Sequence, residues 1–67
     1  MRELVSKLID TEDGVQMCYV EISGSSTETK PTVGIADGSI FTESDTGTVY
    51  FFSEEDGDWV AQFSFQS

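Results

Sequence analysis

Apolar and polar residues alternate most regularly in the C-terminal half of the chain. The alternation predicts strands at residues 39–43, 48–53 and 59–65, joined by polar turns at 44–47 and 54–58. Aspartate and glycine suit these turns, because aspartate hydrogen-bonds its own backbone and glycine accepts positive φ. The period of two in the last strand predicts one face formed by Trp59, Ala61, Phe63 and Phe65. We therefore expect a three-stranded antiparallel meander.

The N-terminal part of the chain fits two patterns. A strand at 3–10 and a second at 15–22 would form a hairpin around Asp13-Gly14, a pair typical of tight β-turns. The apolar residues of the first segment also have the spacing of a helical face, so a helix over residues 1–10 stays an alternative. No capping residue stands where that helix would begin, which favours the hairpin.

The region between the hairpin and the meander is rich in Ser, Thr and Gly and is predicted to be a surface loop at residues 23–32. Residues 33–36 are predicted as a helical turn or an irregular connection that places Ile35 in the core. Asp37-Gly38 then forms a turn. The whole chain, residues 1–67, is expected to be a single all-β domain, a small antiparallel meander of about five strands.

The strand at 48–53 is apolar on both faces, with Val49 and Phe51 opposite Tyr50 and Phe52. Such a strand is central in its sheet or covered on both sides. A chain of this size buries only about 60% of its unfolded surface and has little material for a second covering layer. We therefore expect packing between subunits. The expected interface or packing anchors are Phe41, Val49, Tyr50, Phe51, Phe52, Trp59 and Phe63.

Thirteen acidic and three basic residues give a net charge of -10, and Arg2, Lys7 and Lys30 are the basic ones. Direct binding to nucleic acid is not expected, because phosphate contacts depend on clustered Lys and Arg. The acidic surface is either simply solvated or imitates nucleic acid. No apolar run approaches the roughly 20 residues of a membrane span, and no signal peptide or membrane contact is expected.

Few residues in the sequence could support catalysis or hold a cofactor. Histidine is absent, and the single cysteine, Cys18, lies in an apolar strand without a basic partner. Ser39 lacks the frame of a nucleophile elbow. The acidic turns do not match a calcium-binding loop, although they could hold cations weakly. We therefore expect no enzymatic activity, no cofactor and no dedicated metal site.

One set of residues carries a family resemblance. Its members are Gly38, Ser39, Phe41, Glu43, Asp45, Thr46, Gly47, Val49, Tyr50, Phe52, Gly57 and Trp59. With the preceding Lys30-Pro31-Thr32, this pattern resembles a β-meander common in small virion proteins of tailed phages and prophages. The resemblance covers residues 29–60.

The resemblance implies a structural protein that oligomerises or attaches to a phage capsid, head fibre or tail. Its expected location is the virion, and the host bacterial cytoplasm during assembly. The free cysteine is consistent with synthesis in a reducing cytoplasm. Two alternatives remain from the residues themselves. The net charge suggests an acidic DNA mimic that inhibits a host defence nuclease, and the aromatic residues with acidic turns suggest a calcium-supported carbohydrate-binding module.

Overall fold

The computed structural model describes residues 1–64. They form one five-stranded sheet in the order β1-β2-β3-β4-β5, which confirms the all-β prediction. The strands are β1 (Arg2–Glu12), β2 (Val15–Gly24), β3 (Ile40–Glu43), β4 (Thr48–Ser53) and β5 (Asp58–Ser64). The N-terminal segment is a strand, so the hairpin interpretation is confirmed over the helical one. Phe65, which the alternation places in the last strand, lies outside the described residues.

The first hairpin turns on Asp13 and Gly14, whose φ angles are 52° and 80°. Two successive positive φ angles define the tight turn whose twist matches that of the flanking strands. The β1–β2 ladder shifts register twice, between Glu3 and Val5 and between Leu8 and Asp10. The residues skipped by these bulges each belong to an apolar doublet. Each bulge adds one apolar residue to the strand, and the apolar residues of β1 therefore have the same spacing as those on one face of a helix.

The connection between β2 and β3 differs from the expected meander, because the two strands are parallel. A parallel pair needs a crossover long enough to return the chain to the same end of the sheet. Residues 25–39 provide it without a helix. The five-stranded sheet is therefore mixed, with one parallel pair among antiparallel ones.

The crossover pairs with β2 before it enters β3. Cys18 and Ile35 form a parallel bridge, and the N–H of Cys18 donates to the crossover at 2.8 Å. Farther along β2, the hydroxyl of Ser39 accepts the N–H of Val20 at 3.0 Å and is fully buried. The Ser39 side chain thus replaces a backbone carbonyl at the break between the bridge and β3. Ile35 lies in the core, as expected for an irregular connection.

Two loops of the same design connect β3 to β4 and β4 to β5. In the first, the N–H of Gly47 donates to the carbonyl of Glu43 at 2.7 Å; in the second, that of Gly57 donates to Ser53 at 2.8 Å. Both glycines have positive φ, 73° and 66°. Each loop therefore closes with a residue that glycine accommodates without a steric penalty.

The core lies on one side of the sheet, which we call the core face. The core residues of β2 to β5 lie on the same side of the sheet, because each is either a direct cross-strand partner of another or two positions from one along its strand. The buried cluster comprises Val20, Ile22, Ile35, Phe41, Phe52 and Trp59, and Cys18 and Tyr50 pack against it. The crossover covers this face, so the sheet has a second layer on one side.

A bulge in β5 changes the predicted face of one aromatic residue. Tyr50 pairs with Ala61 whereas Val49 pairs with Phe63, so Gln62 is skipped. Phe63 consequently shares a side with Val49 rather than with Trp59, because directly paired residues lie on the same face. The expectation that Trp59, Ala61 and Phe63 share one face is wrong for Phe63.

Candidate functional site

Three of the expected anchors pack against one another on the core face. The Trp59 ring lies edge-on to Phe41 and Phe52, with centroid distances of 5.8 and 5.1 Å. Phe41 has no exposed surface, and Trp59 and Phe52 are buried. Tyr50 lies beside Phe41 across the β3–β4 ladder. Phe41, Phe52 and Trp59 therefore hold the fold together, and their burial makes them inaccessible to a partner.

The only lysine of the crossover lies over this aromatic cluster. The Nζ atom of Lys30 is 4.8 Å from the ring centroid of Phe41 and 4.6 Å from that of Tyr50. It also donates to Oε2 of Glu43 at 2.7 Å. The side chains of Lys30 and Glu43 retain 17% and 5% of their exposure. An ion pair this buried holds the crossover to the sheet, because either charge alone would be poorly solvated.

Glu43 accepts a second hydrogen bond, from the hydroxyl of Thr46 at 2.7 Å. The hydrogen bond from Lys30, and then that from Thr46, lowers the pKa of Glu43 below its ordinary value. The next residue of the crossover completes the attachment, since the carbonyl of Pro31 accepts the indole N–H of Trp59 at 2.8 Å. Several residues that carry the family resemblance thus meet in one structural cluster.

The opposite side of the sheet, which we call the back face, carries an apolar and partly exposed patch on β3, β4 and β5. Ile40, Phe51 and Val60 are successive cross-strand partners on β3, β4 and β5, and Val49 and Phe63 form the neighbouring pair. Phe51 is 39% exposed, Val60 40% and Phe63 49%. Val49 is buried and Ile40 is half-buried. The back face therefore presents aromatic and branched side chains to solvent.

A second exposed apolar surface lies on β1. Every residue of this strand is exposed, although the strand is fully paired with β2 along one edge. Its large apolar side chains are Leu4, Val5, Leu8 and Ile9, with exposures of 56%, 42%, 53% and 56%. These residues form part of no buried cluster within residues 1–64.

The acidic turns meet at one place on the surface. A shallow depression of about 450 Å³ is lined by Met17, Ile35 and Phe52 and bordered by acidic residues, among them Glu12 and Glu54. Within residues 1–64, no three carboxylates or thiols are grouped so that they could hold a metal ion. The same residues include no helix that is long and apolar enough to cross a membrane.

The structure separates the seven expected anchors into two groups. Phe41, Tyr50, Phe52 and Trp59 belong to the core face, and Val49, Phe51 and Phe63 belong to the back face. Sequence reasoning missed Val60, although its alternation with Trp59 placed it opposite the core. It also missed the exposed apolar residues of β1, which the competing helical spacing obscured.

Comparisons with protein-family models, with curated proteins and with solved structures find no match to this chain.

Proposed function

We propose that this chain is a non-enzymatic structural protein of a phage or prophage virion. It acts by binding, through oligomerisation or through attachment to a capsid, head fibre or tail protein. The family resemblance of residues 29–60 supplies the link to virions. The observation that carries the binding role is the exposed apolar back face around Phe51 and Val60.

The back face supports a binding role because its central row of cross-strand partners on β3, β4 and β5 is uncharged, with the carboxylate of Asp58 beside it. Ile40, Phe51 and Val60 run across these strands in one row. The chain around them carries a net charge of -10. An apolar row on so acidic a surface gives a partner a place where apolar side chains can be buried while few carboxylates are desolvated.

The role needs no catalytic group. The rings of Phe41, Phe52 and Trp59 are buried in the core. The carboxylate of Glu43 is hydrogen-bonded to Lys30 and Thr46. The proposed function of these residues is to keep the sheet rigid, so that the back face is presented in one conformation.

The proposal is tested with virions from an induced prophage that encodes this chain. The protein should be found in purified particles by mass spectrometry and should bind particles that lack it. Val60→Thr and Phe51→Gln on the back face should reduce that binding. Val33→Thr is the matched control, because Val33 is 81% exposed on the crossover and lies away from the back face. Absence of the protein from particles, together with no binding to them, would refute the proposal.

The alternative is an acidic DNA mimic that inhibits a host defence nuclease. The observation in its favour is that carboxylates from the β1–β2 hairpin and the β4–β5 turn, among them Glu12 and Glu54, border one depression. Clustered carboxylates can imitate phosphates toward a basic groove. Capture of a nuclease from host lysate, abolished by Glu54→Gln with Glu12→Gln and unaffected by Val60→Thr, would favour this function over the structural one.

A further inference from the structure

We propose that β1 is the surface through which two copies of this chain pair, edge to edge and antiparallel, into one continuous sheet. This inference rests on the proposed function, because it names the partner and the surface of the self-association. The back face is then left open for attachment to a particle.

The exposure of β1 makes this strand accessible to a second copy. β1 is the outer strand of the sheet, and all of its residues from Arg2 to Glu12 are exposed. Leu4, Leu8 and Ile9 each keep more than half of their surface in solvent. A long apolar edge strand is a template for pairing with another chain. Burial of these side chains would accompany the new backbone hydrogen bonds.

The directions of the backbone groups on β2 show which groups of β1 point to the open edge of the sheet. The N–H of Val20 donates to Ser39, and that of Cys18 donates to the crossover, so both point away from β1. Ser6 is opposite Val20 and Leu8 is opposite Cys18. In an antiparallel ladder such pairs are the non-hydrogen-bonded ones, and the polar groups of both residues point outward. Ser6 and Leu8 therefore aim their N–H and C=O groups at the open edge.

The sequence of β1 is complementary to itself when two copies pair antiparallel. Two identical strands that pair antiparallel are related by a two-fold axis perpendicular to the sheet, which passes through one residue position. With the axis at Ser6, each Ser6 faces its own copy, Leu4 faces Leu8, and Arg2 faces Asp10. Arg2 and Asp10 lie on the same side of the sheet. Their β2 partners are Ser23 and Met17, which are an even number of residues apart and therefore share a face of the strand.

The charges on β1 also favour pairing at this strand. Two of the three basic residues, Arg2 and Lys7, lie in β1. The third, Lys30, is bound to Glu43. Neither Arg2 nor Lys7 forms an ion pair within residues 1–64. Two copies with a net charge of -10 repel over most of their surfaces. At β1 they instead bring each Arg2 to a carboxylate of the other copy, and the axis at Ser6 keeps the two Lys7 side chains from facing each other.

Pairing through β1 would place the back faces of the two copies on the same side of the dimer. A two-fold axis perpendicular to the sheet leaves the same side of both copies facing the same way. The two back faces, each with Phe51 and Val60 exposed, then lie side by side. A pair of copies would present two linked binding patches to a particle, which raises the avidity of attachment without any new contact.

The backbone test uses sedimentation velocity of the full chain over a range of protein concentrations. The wild type should dimerise. Ser6→Pro should be monomeric, because proline removes an N–H that points to the open edge while the β1–β2 ladder keeps its own hydrogen bonds. Ser6→Ala is the matched control and should dimerise as the wild type does, since it keeps the N–H. Circular dichroism checks that all three proteins are folded.

The charge test reverses the charge at either end of β1, at Arg2 or at Asp10. Arg2→Asp and Asp10→Arg should each raise the Kd of the dimer by about tenfold, because each places like charges together twice. An equimolar mixture of the two variants should restore a dimer, since every facing pair then has opposite charges. Glu55→Arg, in the β4–β5 turn, is the control for a change of net charge alone.

The outcomes separate this inference from the proposed function. A wild type that stays monomeric at every concentration overturns the inference. A dimer that survives Ser6→Pro but is lost with Phe51→Gln and Val60→Thr also overturns it, and assigns self-association to the back face. A dimer that dissociates with Ser6→Pro, in a protein that never binds particles, supports the inference and refutes the proposed function.

Discussion

Replacing Lys30 by methionine tests what holds the crossover to the sheet. The Nζ atom of Lys30 lies 2.7 Å from Glu43 and above the rings of Phe41 and Tyr50. Methionine keeps an unbranched apolar side chain over the rings but removes the positive charge. The variant therefore leaves the Glu43 carboxylate, 5% exposed, with the hydroxyls of Thr46 and Tyr50 as its hydrogen-bond partners.

The expected loss follows from the burial of the pair. Removing one partner of a buried ion pair costs about 3–5 kcal/mol. The side chain of Lys30 keeps 17% of its exposure, so water can partly reach the carboxylate, and we expect about 3 kcal/mol at neutral pH. In a domain of this size that corresponds to a fall in Tm of about 12–24 °C. A stabilising osmolyte in the buffer keeps the variant folded for measurement.

A double-mutant cycle isolates the charge. Glu43→Gln retains an acceptor for Thr46 and removes the negative charge. The double variant Lys30→Met with Glu43→Gln should therefore be more stable than Lys30→Met alone by about 2 kcal/mol, because a neutral amide needs no counter-ion. Urea unfolding followed by the fluorescence of the buried Trp59 gives the free energy of unfolding for all four proteins.

The pH dependence gives an independent check. Lys30 and then Thr46 lower the pKa of Glu43 in the folded protein, so the unfolded state binds the proton more readily. The stability from this pair is present above the unfolded glutamate pKa of about 4.3 and is lost as pH falls through the lower folded pKa. The difference in stability between the wild type and Lys30→Met should therefore shrink below about pH 4. Equal stability of the single and double variants, or a difference that does not change with pH, would refute this reasoning.

Two further variants test the crossover. Ser39→Ala should lower the free energy of unfolding by about 1–3 kcal/mol, because the buried N–H of Val20 loses its acceptor; Ser39→Ala with unchanged urea unfolding would contradict that role. Gly34→Ala should destabilise more than Gly14→Ala, as measured by thermal unfolding. Both glycines have positive φ, but a Cβ at Gly34 would lie 2.8 Å from the carbonyl oxygen of Gln16, whereas one at Gly14 meets no atom within 4 Å.

Local signals in the sequence were sufficient for the turns and for most strands. Asp13 and Gly14 form the turn that an Asp-Gly pair predicts, because few other residues accept two successive positive φ angles. The alternation from residue 48 onward places Phe52 and Tyr50 on one side and Phe51 on the other, as expected. These features depend on neighbouring residues alone, and sequence patterns describe such features well.

The direction of strand pairing was not predictable in the same way. β2 and β3 each alternate with a period of two, and that period is the same in parallel and antiparallel ladders. The parallel arrangement depends on where the crossover packs, which involves contacts such as Ser39 with Val20, far apart in the chain. The bulge at Gln62 has a similar origin, and it moved Phe63 to the back face.

The ion pair could have been anticipated from one available signal. Glu43 alternates with Phe41, so the predicted strand already placed a carboxylate on the core face. A buried carboxylate needs a cation or several donors, and the chain has three basic residues from which to choose. The choice of Lys30 still required the path of the crossover, which its Ser, Thr and Gly composition leaves undetermined.

The crossover supplies the second layer of this domain, and the part that lies over the aromatic rings, residues 26–31, is held to the sheet by side-chain contacts. Lys30 binds Glu43, Pro31 accepts a hydrogen bond from Trp59, and Ser26 binds Asp45. Detaching this segment would uncover the aromatic rings while the ladders between the strands stay intact. Local opening of the cover and global unfolding of the sheet are therefore separate events with separate free energies, and substitutions at residues 26–31 govern the first of them.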